Sequence, residues 1–217
     1  MLSRAEYLSR WSELHGGYDP ARSRWVLGWL TTAYACARPL VALRASPDAV
    51  TLLGLLLGAG VPAAAAAGAH WPVLGAALAG LTGLADGLDG AVAVVTGRTT
   101  RWGYVLDSVV DRLTDLALLA ALGLLGAPWA LVAAVASLTF VQEYARARAA
   151  AAGLSEIGVV TPWERPTRIV VVALFGLGAG LWPSAAGTWV GAAAWLGLVL
   201  AVGSVVLLGV VLRRQLR

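Results

Sequence analysis

The 217-residue chain has no lysine, one cysteine and few charges of either sign. Charged residues make up 13% of it and hydrophobic residues 59%, a balance that is too apolar for a soluble domain of this size. The single cysteine, Cys36, excludes a disulfide framework or a thiolate metal site within one chain. All 16 basic residues are arginine, and arginines that flank a membrane explain the net charge of +4 better than a nucleic-acid surface does. We therefore expect a polytopic membrane protein that binds no nucleic acid.

Long apolar segments fill most of the chain after residue 47, and each is near the ~20 residues needed to cross the hydrocarbon core. Many glycine and alanine residues in these segments favour close packing of helices. The sequence predicts an all-α fold, with residues 47–212 as a bundle of six transmembrane helices inside a single membrane-embedded domain that covers residues 1–217. The predicted spans are 48–69, 71–96, 103–125, 127–149, 167–184 and 187–211.

Two further segments lie in residues 1–46, ahead of the predicted bundle. In the first, apolar residues recur three and four positions apart, with charged residues mainly between them. This pattern favours an amphipathic helix at the membrane surface; a helix packed within a cytoplasmic cap is the alternative. Residues 25–44 are apolar but interrupted by Arg38 and Pro39, which indicates a surface-associated or partly inserted helix and not a full span.

The connections between the predicted spans differ in charge. The connections 68–72, 124–128 and 182–188 contain no Arg, Asp or Glu. The N-terminus, the C-terminus and the remaining two connections contain nearly all the arginines, and the positive-inside rule places such segments in the cytoplasm. We therefore expect a multi-pass protein of the cell inner membrane with both termini in the cytoplasm.

Four aspartates between residues 86 and 111 interrupt two neighbouring apolar spans. Asp86 and Asp89 are three residues apart, and Asp107 and Asp111 are four apart, so each pair shares one helix face. The turn between the two spans centres near Gly97, and counting outward from it places the pairs opposite each other. An antiparallel helix pair therefore brings all four carboxylates to one depth, about two to three turns below the cytoplasmic end.

Four close carboxylates cannot all stay ionised in a medium of low dielectric constant without a counter-charge. Hard divalent cations prefer oxygen ligands, and a site without His or Cys favours magnesium or manganese. Two such ions could polarise a phosphoryl group, and one acid could accept a proton from an attacking hydroxyl. The alternatives are pairing of the acids with Arg98, Arg101 or Arg112, and a path for protons or ions.

The spacing of these residues resembles the signature of the CDP-alcohol phosphotransferases, also called CDP-alcohol phosphatidyltransferases. That signature is D-x2-D-G-x2-A-R-x8-G-x3-D-x3-D. The matching positions are Asp86, Asp89, Gly90, Ala93, Gly103, Asp107 and Asp111. One position departs from the signature, because Val94 stands where it has arginine.

The resemblance covers roughly residues 45–170. The segment "SPDAVT" is similar to the family's Pro-Asn-x-x-Thr element, with Asp48 in the Asn position. "YARARAA" and "ERPTR" resemble elements of the phosphatidylinositol phosphate synthases within the family, although Arg146, Ala150 and Thr167 replace Lys, Glu and Glu. The resemblance implies a six-span dimeric fold.

The resemblance also implies a reaction, in which a substituted phosphate moves from CDP-diacylglycerol, or another CDP-linked donor, to an alcohol and CMP is released. Asp86, Asp89 and Asp107 would bind two Mg²⁺ or Mn²⁺ ions, and Asp111 would join them or act as the base on the acceptor hydroxyl. The predicted nucleotide-binding residues are Thr51, Gly90, Thr100 and Arg98. Either Arg98 or Arg101 could replace the cation missing at Val94. We expect Asp115, which lies outside the signature, to pair with an arginine.

Four arginines cluster at the cytoplasmic ends of the fourth and fifth predicted spans, and they are the predicted acceptor-binding residues: Arg146, Arg148, Arg165 and Arg168. Arginine binds phosphate in a bidentate manner, which favours inositol phosphate or glycerol phosphate over a neutral alcohol; ordinary positive-inside topology is the alternative. Two other functions stay open, an ion-coupled transporter that uses the intramembrane acids and an inactive member of the family.

Overall fold

The computed structural model describes residues 1–14, 16–154 and 159–216. In this part of the chain, α-helices are joined by short connections and no strand occurs. Each predicted span coincides with one of the last six helices, so the all-α prediction is confirmed. The helices are α1 Arg4–Leu14, α2 Arg24–Ala42, α3 Pro47–Ala67, α4 Pro72–Thr96, α5 Arg101–Leu124, α6 Trp129–Ala151, α7 Arg165–Leu181 and α8 Ala186–Gln215.

Three stretches of the described residues are long and apolar enough to cross a membrane, namely Pro47–Ala67, Pro72–Thr96 and Pro183–Gln215. The other predicted spans carry more charge or are shorter. Helix α5 has four charged residues between positions 107 and 115, the C-terminal end of α6 is polar, and α7 has 17 residues. A membrane protein is therefore supported, while six spans stay a prediction.

Contacts within the chain define two compact units, and the prediction of one domain over the whole chain stays untested. The first unit comprises residues 1–56 and 81–111, and the second comprises residues 57–80 and 112–217. Helices α3, α4 and α5 contribute residues to both units.

In the first unit, α1 packs on α2, and its buried face is built around Tyr7. The ring centroids of Tyr7 and Tyr34 lie 5.5 Å apart, and burial raises the pKa of the Tyr7 hydroxyl to about 12. The Leu2 amide donates a hydrogen bond to the carbonyl of Val95, at 3.3 Å, which joins the N-terminus to the end of α4. These contacts support the packed-helix alternative for α1, and its position at a membrane surface stays a prediction.

Side-chain caps fix where the helices of the first unit begin. Ser3 and Glu6 form a reciprocal capping box, with N–H to oxygen distances of 2.7 and 3.3 Å, which satisfies two amides at the start of α1. The Ser46 hydroxyl accepts a hydrogen bond from an amide in the first turn of α3, at 3.1 Å. The Thr100 hydroxyl accepts one from the Gly103 amide, at 2.9 Å. The starts of α3 and α5 are thereby set, and both helices carry residues of the site described below.

In the second unit, α8 packs against α6 and α7, and Trp163 from the connection between α6 and α7 is buried beside them. The Trp163 backbone amide donates to the Ser204 hydroxyl at 2.8 Å, and its indole N–H donates to the Thr139 hydroxyl at 2.9 Å. A Cβ atom on Gly197 would lie 3.0 Å from the indole ring. The end of this connection is therefore held against the helices by both packing and hydrogen bonds.

Candidate active site

Three of the four predicted metal ligands converge in the first unit. Asp86 lies on α4, and Asp107 and Asp111 lie on α5. One carboxylate oxygen from each of them can be chosen so that all three atoms lie within 4.8 Å of one another. The short turn between α4 and α5 and the four-residue spacing of Asp107 and Asp111 on α5 account for this approach. We refer to these three residues as the acidic cluster.

The fourth predicted ligand, Asp89, is not part of that group of three. Its side chain is buried, and its Oδ2 atom accepts a hydrogen bond from the Thr51 hydroxyl of α3 at 2.6 Å. Its Oδ1 atom accepts one from the Gly90 amide, also at 2.6 Å. A carboxylate oxygen can accept more than one hydrogen bond or metal contact, so Asp89 keeps the capacity to bind a cation while α3 holds its orientation.

The donor set of the acidic cluster fits a divalent metal ion. All three side chains offer carboxylate oxygen, which suits hard cations such as Mg²⁺ and Mn²⁺. Carboxylates held this close repel one another when ionised, and a divalent cation between them removes that repulsion. The three carboxylates are therefore suitable ligands for a divalent metal ion, while the roles of the individual residues stay a prediction.

A cavity of about 260 Å³ lies beside Asp89 and Asp107. Its walls come from the start of α3, the end of α4, the turn that follows and the start of α5. All four residues predicted to bind nucleotide line this cavity, and they are Thr51, Gly90, Arg98 and Thr100. Residues separated by up to fifty positions in the chain thus meet at one concave surface, next to candidate metal ligands.

Two glycines of the signature, Gly90 and Gly103, line this cavity, and glycine suits each position for a different physical reason. A Cβ atom on Gly90 would meet no atom within 4 Å, so the glycine leaves its backbone open to a ligand. A Cβ atom on Gly103 would lie 3.1 Å from the Thr100 hydroxyl oxygen and 3.7 Å from Oδ1 of Asp48. Gly90 therefore provides access, whereas Gly103 provides room for the cap of α5.

Val94 and Arg98 both line the cavity. Val94 is 8% exposed and belongs to the hydrophobic core of the first unit. Gly97, with φ of 68°, reverses the chain after α4, and the Arg98 amide closes the turn by donating to the Ala93 carbonyl at 2.9 Å. Arg98 is the one cationic residue among the described residues that line the cavity, which also include three acids: Asp48, Asp89 and Asp107.

The structure adds two residues to this site that sequence reasoning did not assign to it. Asp48 lines the cavity from the first turn of α3, where an acid is favoured by the helix dipole; its position in the Pro-x-x-x-Thr element was the available signal. Trp29 of α2 lies against α4 at Gly87, the residue after Asp86, where a Cβ atom would be 2.5 Å from its ring. The glycine pattern of α4 indicates a close neighbour, but nothing in the sequence identifies that neighbour as Trp29.

In the second unit, Asp115 is buried among arginines, which confirms the prediction that it pairs with one. Its carboxylate oxygens lie 3.2 Å from Arg112 and 3.3 Å from Arg168, and 3.9 Å from Arg165. Glu143 lies 3.0 Å from both Arg112 and Arg168. Arg168 is one of the predicted acceptor-binding residues. It is only 1% exposed, and its guanidinium group contacts the carboxylates of both Asp115 and Glu143.

The other predicted acceptor residues of the second unit are more accessible. Arg146 lies 2.5 Å from Glu164, whose carboxylate also accepts hydrogen bonds from the backbone and side chain of Thr161. Arg148 is exposed near the end of α6. The four arginines therefore differ in environment, from an exposed side chain to a fully buried one.

Comparison with known proteins places the site in a wider context. A family model described as CDP-alcohol phosphatidyltransferase matches residues 44–207. Phosphatidylinositol phosphate synthase of Mycolicibacterium smegmatis is 40% identical over 190 residues, which cover 79% of this chain and 80% of that protein.

Two crystal structures of Mycobacterium tuberculosis phosphatidylinositol phosphate synthase are similar in fold. The structure with CDP-DAG bound has a TM-score of 0.64 at 27% identity and covers 83% of this chain and 92% of the other. The structure in complex with manganese and citrate has a TM-score of 0.64 at 28% identity and covers 83% and 88%. The range matched by the family model contains the acidic cluster, the cavity and the four arginines.

Proposed function

We propose that this chain, which belongs to the CDP-alcohol phosphatidyltransferase family, transfers a phosphatidyl group from CDP-diacylglycerol to an inositol phosphate and releases CMP. The observation that carries the proposal is the acidic cluster beside a cavity lined by all four predicted nucleotide-binding residues. The similar mycobacterial structure with CDP-DAG bound supports the donor, and the name of the M. smegmatis relative supports the acceptor. Glycerol phosphate is the second candidate acceptor.

A divalent metal ion fits the acidic cluster, and the manganese complex of the similar structure supports it. Asp86, Asp107 and Asp111 would hold Mg²⁺ or Mn²⁺, and Asp89 would add a ligand for a second ion. Such ions polarise the phosphoryl group and stabilise the leaving phosphate. Asp111 would also take the proton from the acceptor hydroxyl as its oxygen attacks phosphorus.

The cavity would bind the CDP part of the donor. Gly90 leaves backbone accessible to the nucleotide, and Thr51 and Thr100 line the same cavity. Arg98 would oppose the negative charge of the pyrophosphate, because Val94 has no cation to offer. A guanidinium group can bind two phosphate oxygens at once, so its position on the turn after α4 suits this role.

The acceptor would be bound by arginines of the second unit, for which the candidates are Arg146, Arg148, Arg165 and Arg168. Guanidinium groups form strong, directional hydrogen bonds with phosphate oxygens. A phosphorylated polyol suits such a cluster better than a neutral alcohol, because its phosphate carries the charge opposite to that of the guanidinium groups. The exposed Arg148 is the candidate best placed to meet an incoming substrate.

The membrane arrangement completes the proposal. Helices α3 to α8 would form six spans of the inner membrane, with both termini and the active site on the cytoplasmic side, where the arginine-rich connections lie. Helix α1 would lie at the membrane interface. A homodimer is proposed on the resemblance to the family alone.

The experiment that tests the function uses purified full-length chain, radiolabelled CDP-diacylglycerol, magnesium and a panel of acceptors, with the products separated by lipid chromatography. We expect a labelled phosphatidylinositol phosphate and an equal amount of CMP. Free inositol, serine and glycerol serve as neutral or zwitterionic controls. Release of no CMP with any acceptor would reject the proposal, and solute or proton flux in proteoliposomes would then favour the transporter hypothesis, which the comparisons do not favour.

A further inference from the structure

Four charged side chains of the second unit form a closed ring. Asp115 contacts Arg112 and Arg168 at 3.2 and 3.3 Å, and Glu143 contacts the same two arginines, each at 3.0 Å. Each acid thus bridges both arginines, and each arginine bridges both acids. We call these four residues the charge ring.

The ring joins four parts of the second unit. Arg112 and Asp115 belong to α5, Glu143 to α6 and Arg168 to α7. Arg168 also donates a hydrogen bond to the carbonyl of Trp163, at 3.3 Å, in the connection that precedes α7. One guanidinium group therefore ties α7 to two other helices and to that connection.

The two acids neutralise the two arginines, so the ring carries no net charge. Arg168 is 1% exposed, and its charge is balanced within the protein. A buried guanidinium held by two carboxylates is a poor partner for an incoming anion, because binding would require breaking existing pairs in a desolvated environment. The ring instead fixes the first turn of α7, in which Arg165 also lies.

We propose that the charge ring positions the acceptor subsite, with Asp115 and Glu143 as positioning residues and Arg168 as their anchor, while Arg146, Arg148 and Arg165 contact the phosphate of the acceptor. This inference rests on the proposed function and divides its four acceptor arginines into two roles. The acceptor class stays a phosphorylated polyol. Its affinity then depends on two acids that never touch it.

The test compares variants of the ring in the purified full-length chain, with separate titrations of inositol phosphate and CDP-diacylglycerol. Asp115→Asn and Glu143→Gln each remove one acid without removing an arginine. We expect the KM for inositol phosphate to rise about tenfold, with kcat within threefold and the KM for the donor within twofold. Glu143 is partly exposed, so Glu143→Gln serves if Asp115→Asn fails to fold.

A second variant separates positioning from stability. Replacement of buried ion pairs by apolar residues of similar volume is often neutral or stabilising, so Asp115→Leu combined with Arg168→Met is expected to recover the melting temperature lost in Asp115→Asn. The KM for inositol phosphate should stay raised. Recovery of both the melting temperature and the KM would show a purely structural ring and overturn the inference.

The matched control is Glu13→Gln, which removes an exposed acid paired with Arg10 at 2.7 Å on α1. It is expected to leave both KM values unchanged. A readout independent of turnover is the rise in melting temperature on adding inositol phosphate without donor; Asp115→Asn and Glu143→Gln should need about tenfold more ligand for the same rise.

The outcomes separate this inference from the function on which it rests. Without CMP release by the wild-type chain the proposed function fails, yet inositol phosphate would still stabilise wild type more readily than the ring variants. If wild type turns over and both single variants keep the wild-type KM for inositol phosphate, the function stands and the inference is rejected.

Discussion

The two compact units differ in the neighbours of the acidic side chains that their apolar helices carry. In the second unit, each buried acid faces arginines, and the charge ring needs no partner from outside the chain. In the first unit, three carboxylates converge on one another beside an open cavity. Both units contain the same residue types in helices of similar character, so composition alone does not distinguish them.

This difference helps to distinguish charged residues that stabilise the fold from charged residues that bind a ligand. A ring of alternating charges offsets part of its own desolvation cost. A cluster of like charges gains stability from a bound cation, so the acidic cluster fits a divalent ion in a way that the charge ring does not. The four predictions below test this contrast, beginning with the largest expected effect.

Removal of divalent metal is expected to abolish turnover altogether. A chelator should stop CMP release, and Mg²⁺ or Mn²⁺ should restore it. Metal should also raise the melting temperature of the wild-type chain, because an ion that binds only the folded state stabilises it. Differential scanning fluorimetry checks this, and a variant with Asp86, Asp107 and Asp111 all changed to Asn should lose the shift. An equal metal-dependent shift in that variant would place the metal elsewhere.

Single substitutions in the acidic cluster come next. Asp107→Asn and Asp111→Asn should each lower kcat by about 10³-fold, since each removes a metal ligand and the second also removes the proposed base. Initial rates with labelled CDP-diacylglycerol provide the measurement. Asp19→Asn is the matched control, because Asp19 is an exposed acid that caps a short 3₁₀ turn, and it should keep wild-type activity. Full activity in both cluster variants would refute the assigned roles.

The third prediction concerns Val94, which stands where the family signature has arginine. We expect a smaller effect here, on the KM for CDP-diacylglycerol, and a second substitution should partly reverse it. Arg98→Gln should raise the KM for CDP-diacylglycerol about tenfold, equivalent to about 1.4 kcal/mol, by removing the cation that lines the cavity. Adding Val94→Arg to this variant should recover part of the loss, since position 94 lines the same cavity. Arg10→Gln, an exposed arginine of α1, is the control. If the KM for CDP-diacylglycerol is unchanged in Arg98→Gln, the metal site alone binds the pyrophosphate and the role proposed for Arg98 is rejected.

The smallest expected effect concerns the packing of Trp29 against Gly87, the residue after Asp86 of the acidic cluster. Gly87→Ala would place a methyl group 2.5 Å from the Trp29 ring and should cost about 1–3 kcal/mol through overpacking, with a loss of activity of a few fold. In the double variant Gly87→Ala/Trp29→Leu, the smaller leucine side chain should relieve the overpacking at position 87. Chemical denaturation together with initial rates measures both. Gly80→Ala, at a position where a Cβ atom meets nothing within 4 Å, is the control.

Much of this architecture follows from the sequence. The six long helices lie where the apolar runs predict them, because glycine, proline and polar residues interrupt those runs at each connection. The acidic cluster follows from the four-residue spacing of Asp107 and Asp111 and from the short turn that joins their helix to that of Asp86, whereas Asp89 lies outside the group that the spacing predicts. The four residues predicted to line a nucleotide site do line one cavity.

The remainder depends on contacts between segments far apart in sequence. Nothing in the local pattern of Asp89 indicates that Thr51, 38 positions earlier, bonds to it. Arg168 resembles the other membrane-flanking arginines in sequence, and only tertiary structure shows that Asp115 and Glu143 enclose it. Trp163 lies in the connection between α6 and α7, and nothing in the local sequence indicates that it is buried against α8.

The left-handed turn at Gly97 has a consequence for how this chain can vary. An α-helix turns by about 100° per residue, so one residue inserted or deleted in the first turn of α5, which follows this turn at Arg101, would rotate Asp107 and Asp111 relative to the start of the helix. Substitutions at the two glycines would also disturb the segment, because L side chains rarely adopt the φ of 68° found at Gly97 and a Cβ atom on Gly103 would crowd the Thr100 hydroxyl. The segment from Gly97 to Gly103 is therefore constrained both in its length and at its first and last residues.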